Sequence, residues 1–147
     1  YTCGAKLLKT KSGQYIIESV IRFRKTPRVV EQVIKQTAQI DGIGTEIWME
    51  QEPGSSGVNT IDHYRRDVLP EYTFRPDKVT GSKVERAAPF SSQTEAGNVL
   101  ILKGSWNKDF LDEAELFPDG KFKDQVDSCS GAYSKIASNS GFRIRSV

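Results

Sequence analysis

Apolar and polar positions along the chain change period several times, and the changes mark out the elements. Residues 1–10 and 14–23 are β-rich runs parted by Lys11-Ser12-Gly13, the pattern of a hairpin. Thr26-Pro27 is a helix start, with proline at the first helical position. Val30, Val33, Ile34 and Thr37 then recur at helical spacing until Asp41-Gly42 closes the element. Residues 45–52 (TEIWMEQE) read as a strand that ends at Pro53-Gly54. A helix over about residues 56–69 follows, with Val58, Ile61, Tyr64 and Val68 on one side and Pro70 as its stop. Residues 72–79 form a short strand that Pro76 confines to a sheet edge. A third helix opens at Gly81-Ser82 and ends at Gly97-Asn98, and residues 99–102 are a brief apolar strand. Helices over 106–117 and from 124 to about 137 complete the series. A hairpin followed by alternating helices and short strands predicts an α/β domain with a mixed sheet. Residues 1–139 are expected to form that domain and residues 140–147 a loosely held tail. Because the chain opens inside a strand, a further segment is expected before Tyr1.

Composition narrows the class. The chain has 147 residues, 27% charged and 37% hydrophobic, which suits one soluble domain with a real core. No apolar run is long enough to cross a bilayer, so no membrane partner is expected. Cys3 and Cys129 lie far apart without metal-type spacing and read as buried thiols of a reducing compartment, while the single histidine, His63, reads as a surface residue. Net charge is only +2, but basic residues cluster locally, as at Arg22, Arg24, Lys25 and Arg28 or Lys78, Lys83 and Arg86. Such clusters serve solubility, or they approach a phosphate backbone around an acidic site.

The candidate chemistry lies in two acidic stretches. Glu50 and Glu52 close the strand beginning at residue 45; alternation puts both on one face, either as a solvated strand edge or as carboxylates delivered at a strand's carboxyl end. Asp124 and Asp127 are one turn apart at the start of the last helix. They either stabilise that helix end through capping and the dipole or face a common ion. Val126, Cys129, Tyr133, Ile136 and Ala137 form the helix's apolar stripe, with Ser128 and Gly131 on the acidic side. Carboxylates in both places, with no Cys/His cluster, match a hard-cation site for Mg²⁺ or Mn²⁺. Two such ions about 3.5–4 Å apart clamp the attacking and leaving oxygens in phosphodiester hydrolysis. There is no P-loop pattern, Cys129 has no histidine near it in sequence, and Ser55 or Ser56 as a nucleophile would have only His63 for a base.

The series IWMEQEPGSSG, RPDKVTGSKVERAAPFSSQTEAGNV and LFPDGKFKDQVDSCSGAY resembles the carboxyl-terminal nuclease domain of the large terminase subunit of tailed bacteriophages. The resemblance implies an RNase H-like fold, a mixed central sheet flanked by helices on both faces. It further implies a metal-dependent endonuclease that cuts concatemeric phage DNA during genome packaging, using two ions of Mg²⁺ or Mn²⁺. Double-stranded DNA, the portal protein and the small terminase subunit would be its partners, in the host cell cytoplasm and not in the mature virion. Carried over by position, Glu50 and Asp124 are the metal-binding catalytic acids. Asp127, the neighbouring acid of the same motif, binds metal with them or positions a water, and Glu52 stands behind the site as a minor candidate that ties the turn by accepting backbone hydrogen bonds. Lys83 and Arg86 match a basic pair that contacts DNA phosphates, or they form a solvated helix start. The sequence departs from the family pattern in two ways. The family's first catalytic aspartate lies on a strand preceding the one at Tyr1, which this chain does not contain. Lys123 stands where an acidic residue is common, weakening a ligand position or contacting phosphate. The ATPase motor is not in this sequence either, so packaging by this chain alone is excluded. The rivals are a non-enzymatic DNA-gripping or portal-docking module with an incomplete acidic site, and another RNase H-like phosphoryl-transfer enzyme of resolvase or integrase type.

Overall fold

The computed structural model describes residues 1–138 and 143–147. Strands β1 (Thr2–Lys9) and β2 (Tyr15–Phe23) form the expected antiparallel hairpin. After it come α1 (Pro27–Asp41), β3 (Glu46–Glu50), α2 (Ser55–His63), β4 (Phe74–Asp77), α3 (Lys83–Glu95), β5 (Val99–Ile101), α4 (Asn107–Leu116), α5 (Asp124–Ser138) and β6 (Arg143–Ser146). Helix α2 runs on as a π-helical turn, Tyr64–Val68, so the expected helix over 56–69 is one element whose winding loosens before Pro70.

The six strands lie in the order β4-β3-β6-β1-β2-β5. As Pro76 requires, β4 is an edge strand; β3 runs parallel to both β4 and β6, whereas β1 is antiparallel to β6 and β2. The placement of β6 corrects the expected loose tail. Residues 143–146 occupy the middle of the sheet, with Ile144 and Arg145 buried, while 139–142 lie outside the described residues. Gly4 makes room for this strand, because a Cβ there would fall 2.8 Å from the Ser146 carbonyl oxygen.

Alternation along the strands sorts the core into two layers. On β3, Ile47 and Met49 pack with Ile34 and Ala38 of α1, Ile61 of α2 and Phe74 of β4. Trp48 points the other way, against the cluster of Leu7, Ile17, Phe90, Phe110, Cys129, Tyr133 and Ile144 beneath α3, α4 and α5. The sheet is therefore covered on both faces, and by this parity Glu50 projects to the α5 side, as Trp48 does. Within the α5 stripe, Ala132 is buried and Ala137 is exposed, reversing the expected place of Ala137. After β3 the chain turns tightly into α2. Gly57 packs so closely on the Glu52 carbonyl that a Cβ would fall 1.8 Å from its oxygen.

Candidate active site

A cleft of about 490 Å³ opens where β3, β4 and β6 end, between the start of α3 and the first half of α5. Each acid on its wall arrives for a local reason. Glu50 is the last residue of β3, exposed and turned toward α5. Asp77, the last residue of β4 and paired in register with Glu50, has the same parity. Asp124 and Asp127 come from the first turn of α5 and share one face of it. Ser146 of β6 closes the floor; its hydroxyl lies 2.6 Å from the Ser128 hydroxyl and donates to the Ser128 carbonyl at 2.8 Å. Acids 74 positions apart in sequence, Glu50 and Asp124, thus line one cleft.

The position of α5 is set by Glu113 of α4. Its buried carboxylate accepts from the backbone N–H groups of Gln125 (2.7 Å) and Val126 (3.1 Å), two of the donors left free at a helix start. The same carboxylate accepts from Gln125 Nε2 at 2.9 Å and from Arg22 at 3.4 Å. Asp124 and Asp127 are thereby relieved of the capping duty considered for them, and their side chains are turned to the cleft.

Basic groups of α3 meet them there. Lys83 Nζ lies 2.6 Å from Asp124 Oδ1 and 3.7 Å from Asp127 Oδ2. Arg86 grips Asp127 through Nε (3.1 Å) and through Nη2, which lies 2.9 Å from each carboxylate oxygen, and donates from Nη1 to the Gly81 carbonyl at 2.8 Å. Lys135 of α5 binds Asp77 at 2.6 Å, with its ammonium over the Trp48 ring. Burial pulls the Lys83 pKa down, but the hydrogen bond to Asp124 and the charges of Asp124, Asp127 and Glu50 outweigh it, leaving the pKa above its ordinary value. Cys3, on the cleft wall, is pushed up to about 12 by burial and then by Asp124 and Glu113, so it stays a protonated thiol.

The other expected residues are distributed unevenly. Lys83 and Arg86 line the cleft, engaged with carboxylates. Glu52 does not line it. Strand β3 stops at Glu50, so the alternation that would align Glu52 with it ends, and among the described residues the Glu52 side chain accepts no hydrogen bond. The contact that ties the turn is instead the close approach of Gly57 to the Glu52 main chain. Lys123 also lies off the cleft wall; its carbonyl accepts from the Asp127 N–H, opening α5. His63 is exposed between Glu31 (2.9 Å) and Asp67 (3.0 Å), as a surface residue should be. Sequence reasoning missed Glu113, Asp77, Lys135 and Ser146. Asp77 alone left a signal, as an acid closing a strand parallel to β3.

The residues can be tested against a divalent cation. The cleft gathers hard oxygen donors, Glu50, Asp124 and Asp127, and the Lys83 ammonium bridging the aspartates marks where positive charge is favoured. Among the described residues no three acids are grouped closely enough to hold a metal ion in these rotamers. The donors are of the oxygen type such an ion takes, and in this arrangement lysine and arginine occupy the aspartate oxygens.

A mixed sheet covered by helices on both faces, with acids collected where parallel strands end, is consistent with an RNase H-like domain. The family described as the terminase RNaseH-like domain matches residues 1–136, and the chain belongs to that family. Membership supports a nuclease-type role in a terminase. No curated protein and no solved structure matches the chain.

Proposed function

We propose that the cleft hydrolyses phosphodiester bonds of double-stranded DNA, as the endonuclease that cuts concatemeric phage DNA during packaging. The observation that carries this reading is the convergence of Glu50 with Asp124 and Asp127 on one cleft, in a terminase RNase H-like domain. Glu50 and Asp124 would hold Mg²⁺ or Mn²⁺, one ion or a pair, with Asp127 steadied beside them by Arg86. The bound ion would supply Lewis acidity toward the scissile phosphate and lower the pKa of the attacking water. Lys83 and Arg86 would receive the phosphate backbone, and binding that rests on such contacts falls steeply with added salt. The sequence carries no conventional base-reading DNA-binding motif, which favours sequence-independent cutting. In the packaging complex of the host cytoplasm, the portal protein and the small terminase subunit would be the neighbouring proteins.

Plasmid nicking with Mn²⁺ tests the reading. Glu50→Ala and Asp124→Ala should each lower the rate by at least ~100-fold, the order expected for loss of a group that stabilises transition-state charge. Unchanged nicking in both variants refutes the assignment. A DNA-gripping module without catalysis is the second reading, favoured by the engagement of both aspartates with Lys83 and Arg86. Duplex binding by a protein that nicks under no metal condition would support it.

A further inference from the structure

We propose that Lys83 is a tethered counter-ion that keeps Asp124 closed to divalent cations until a DNA phosphate draws it away. The inference rests on the reading that Asp124 is a metal ligand.

The two aspartates of α5 are held in physically different ways. Asp127 sits in the planar fork of Arg86, whose other nitrogen is anchored on the Gly81 carbonyl, and the two side chains are 12% and 21% exposed. That arrangement is geometrically fixed. Asp124 is met by one amine on a flexible stem, which touches Asp127 only at 3.7 Å, and the Asp124 and Lys83 side chains are 36% and 40% exposed. An exposed single-point pair of this kind is weak and readily exchanged. Glu50 meets no cation within ion-pair distance among the described residues, yet its charge is felt by both Lys83 and Arg86. The Lys83 ammonium therefore lies among the cleft's negative charges, against Asp124 Oδ1, one of the oxygens open to a divalent ion.

Ammonium and metal ion cannot share that oxygen at contact distance. Ion binding to the free protein has to displace Lys83 and then bear its repulsion. A phosphate entering the cleft offers Lys83 another anion, and its departure leaves Asp124 open. By linkage, phosphate and metal each strengthen the other's binding. The free domain stays poorly loaded, and loading follows the arrival of duplex.

Calorimetric titration with MnCl₂ in the absence of DNA tests this on the whole chain. Lys83→Met removes the charge and keeps the stem, with Lys83→Gln as a second variant should the first fold poorly. Either should bind Mn²⁺ at least ~10-fold more tightly than the unsubstituted protein, a tenfold gain being about 1.4 kcal/mol. Lys78→Met removes the same charge from the same cleft wall and should give a clearly smaller gain. A short phosphorothioate duplex should tighten Mn²⁺ binding to the unsubstituted protein and leave Lys83→Met nearly unchanged. Gains equal for Lys78→Met and Lys83→Met overturn the proposal, since a general field would explain both. If Asp124→Asn abolishes Mn²⁺ binding while Lys83→Met and Lys83→Gln bind like the unsubstituted protein, the counter-ion role falls and the metal site stands. Absence of Asp124-dependent binding in every variant overturns both.

Discussion

Two clusters of carboxylates and cations lie on opposite faces of the sheet, built from the same residue types. On the α1 face, Arg145 of β6 binds Asp41 through Nε (2.7 Å) and Nη2 (3.2 Å), and Lys6 reaches the same carboxylate at 3.1 Å. Arg145 is 2% exposed, and Ser19 accepts a third bond from it at 2.8 Å. On the α5 face, Lys83 and Arg86 meet Asp124 and Asp127 at the rim of an open cleft. The difference is solvent. Buried ions whose partners are taken away have no water to turn to, so the first cluster is committed to the fold. Ions at the cleft rim can exchange partners at little cost, as the proposed transfer of Lys83 from Asp124 to a phosphate requires.

The comparison breaks most easily at Asp41. Asp41→Ala leaves the buried Arg145 without a carboxylate and Lys6 with only Glu18 at 3.7 Å, and should cost about 3–5 kcal/mol, measured by urea denaturation. Arg145→Met still leaves Asp41 paired with Lys6 and should cost less; equal costs would contradict the asymmetry. Next is Glu113→Gln, which weakens the acceptor at the start of α5. A loss of about 1–3 kcal/mol in the same measurement should come with a lower nicking rate, since Asp124 and Asp127 ride on that helix. Asp124→Asn, which loosens an exposed pair, should change stability by no more than about 1 kcal/mol while reducing nicking severely. The smallest effect belongs to His63, where hydrogen bonds to Glu31 and then Asp67 raise the imidazole pKa. A raised folded-state pKa adds stability that is fully present below the unfolded-state value and fades as pH rises through the folded-state value. The stability gap between the unsubstituted protein and His63→Gln should therefore close over that interval. The His63 imidazole resonances should titrate above the ordinary histidine range.

Periodicity made most of the fold legible. The hairpin, the ends of α1 and the edge position of β4 follow from Lys11-Ser12-Gly13, Thr26-Pro27 with Gly42, and Pro76. Strand β6 escaped because Arg143-Ile144-Arg145-Ser146 carries charge at alternate positions, which reads as exposed. Arg145 is buried only because Asp41, 104 positions earlier, meets it, and pairing at that range leaves no local signal. The same reason hid Glu113, an acid of α4 whose buried role depends on where α5 begins. The acids of the cleft were legible as candidates where an acid ends a strand or opens a helix, as at Glu50 and Asp124. It was misread at Glu52, where alternation was carried past the last strand residue.

The central place of β6 bears on how the molecule assembles. Its neighbours β1 and β3 lie more than ninety positions earlier in the chain, and Ser146 contacts Ala5 across 141 positions. Closing loops of that size is entropically expensive before any ladder bond rewards it, so such pairings are slow to nucleate. Until β6 docks, the hairpin β1–β2 with β5 and the pair β3–β4 lack the ladder that joins them. Insertion of this strand is then the event that turns two half-sheets into one and brings the Glu50 edge into register with the floor at Ser146.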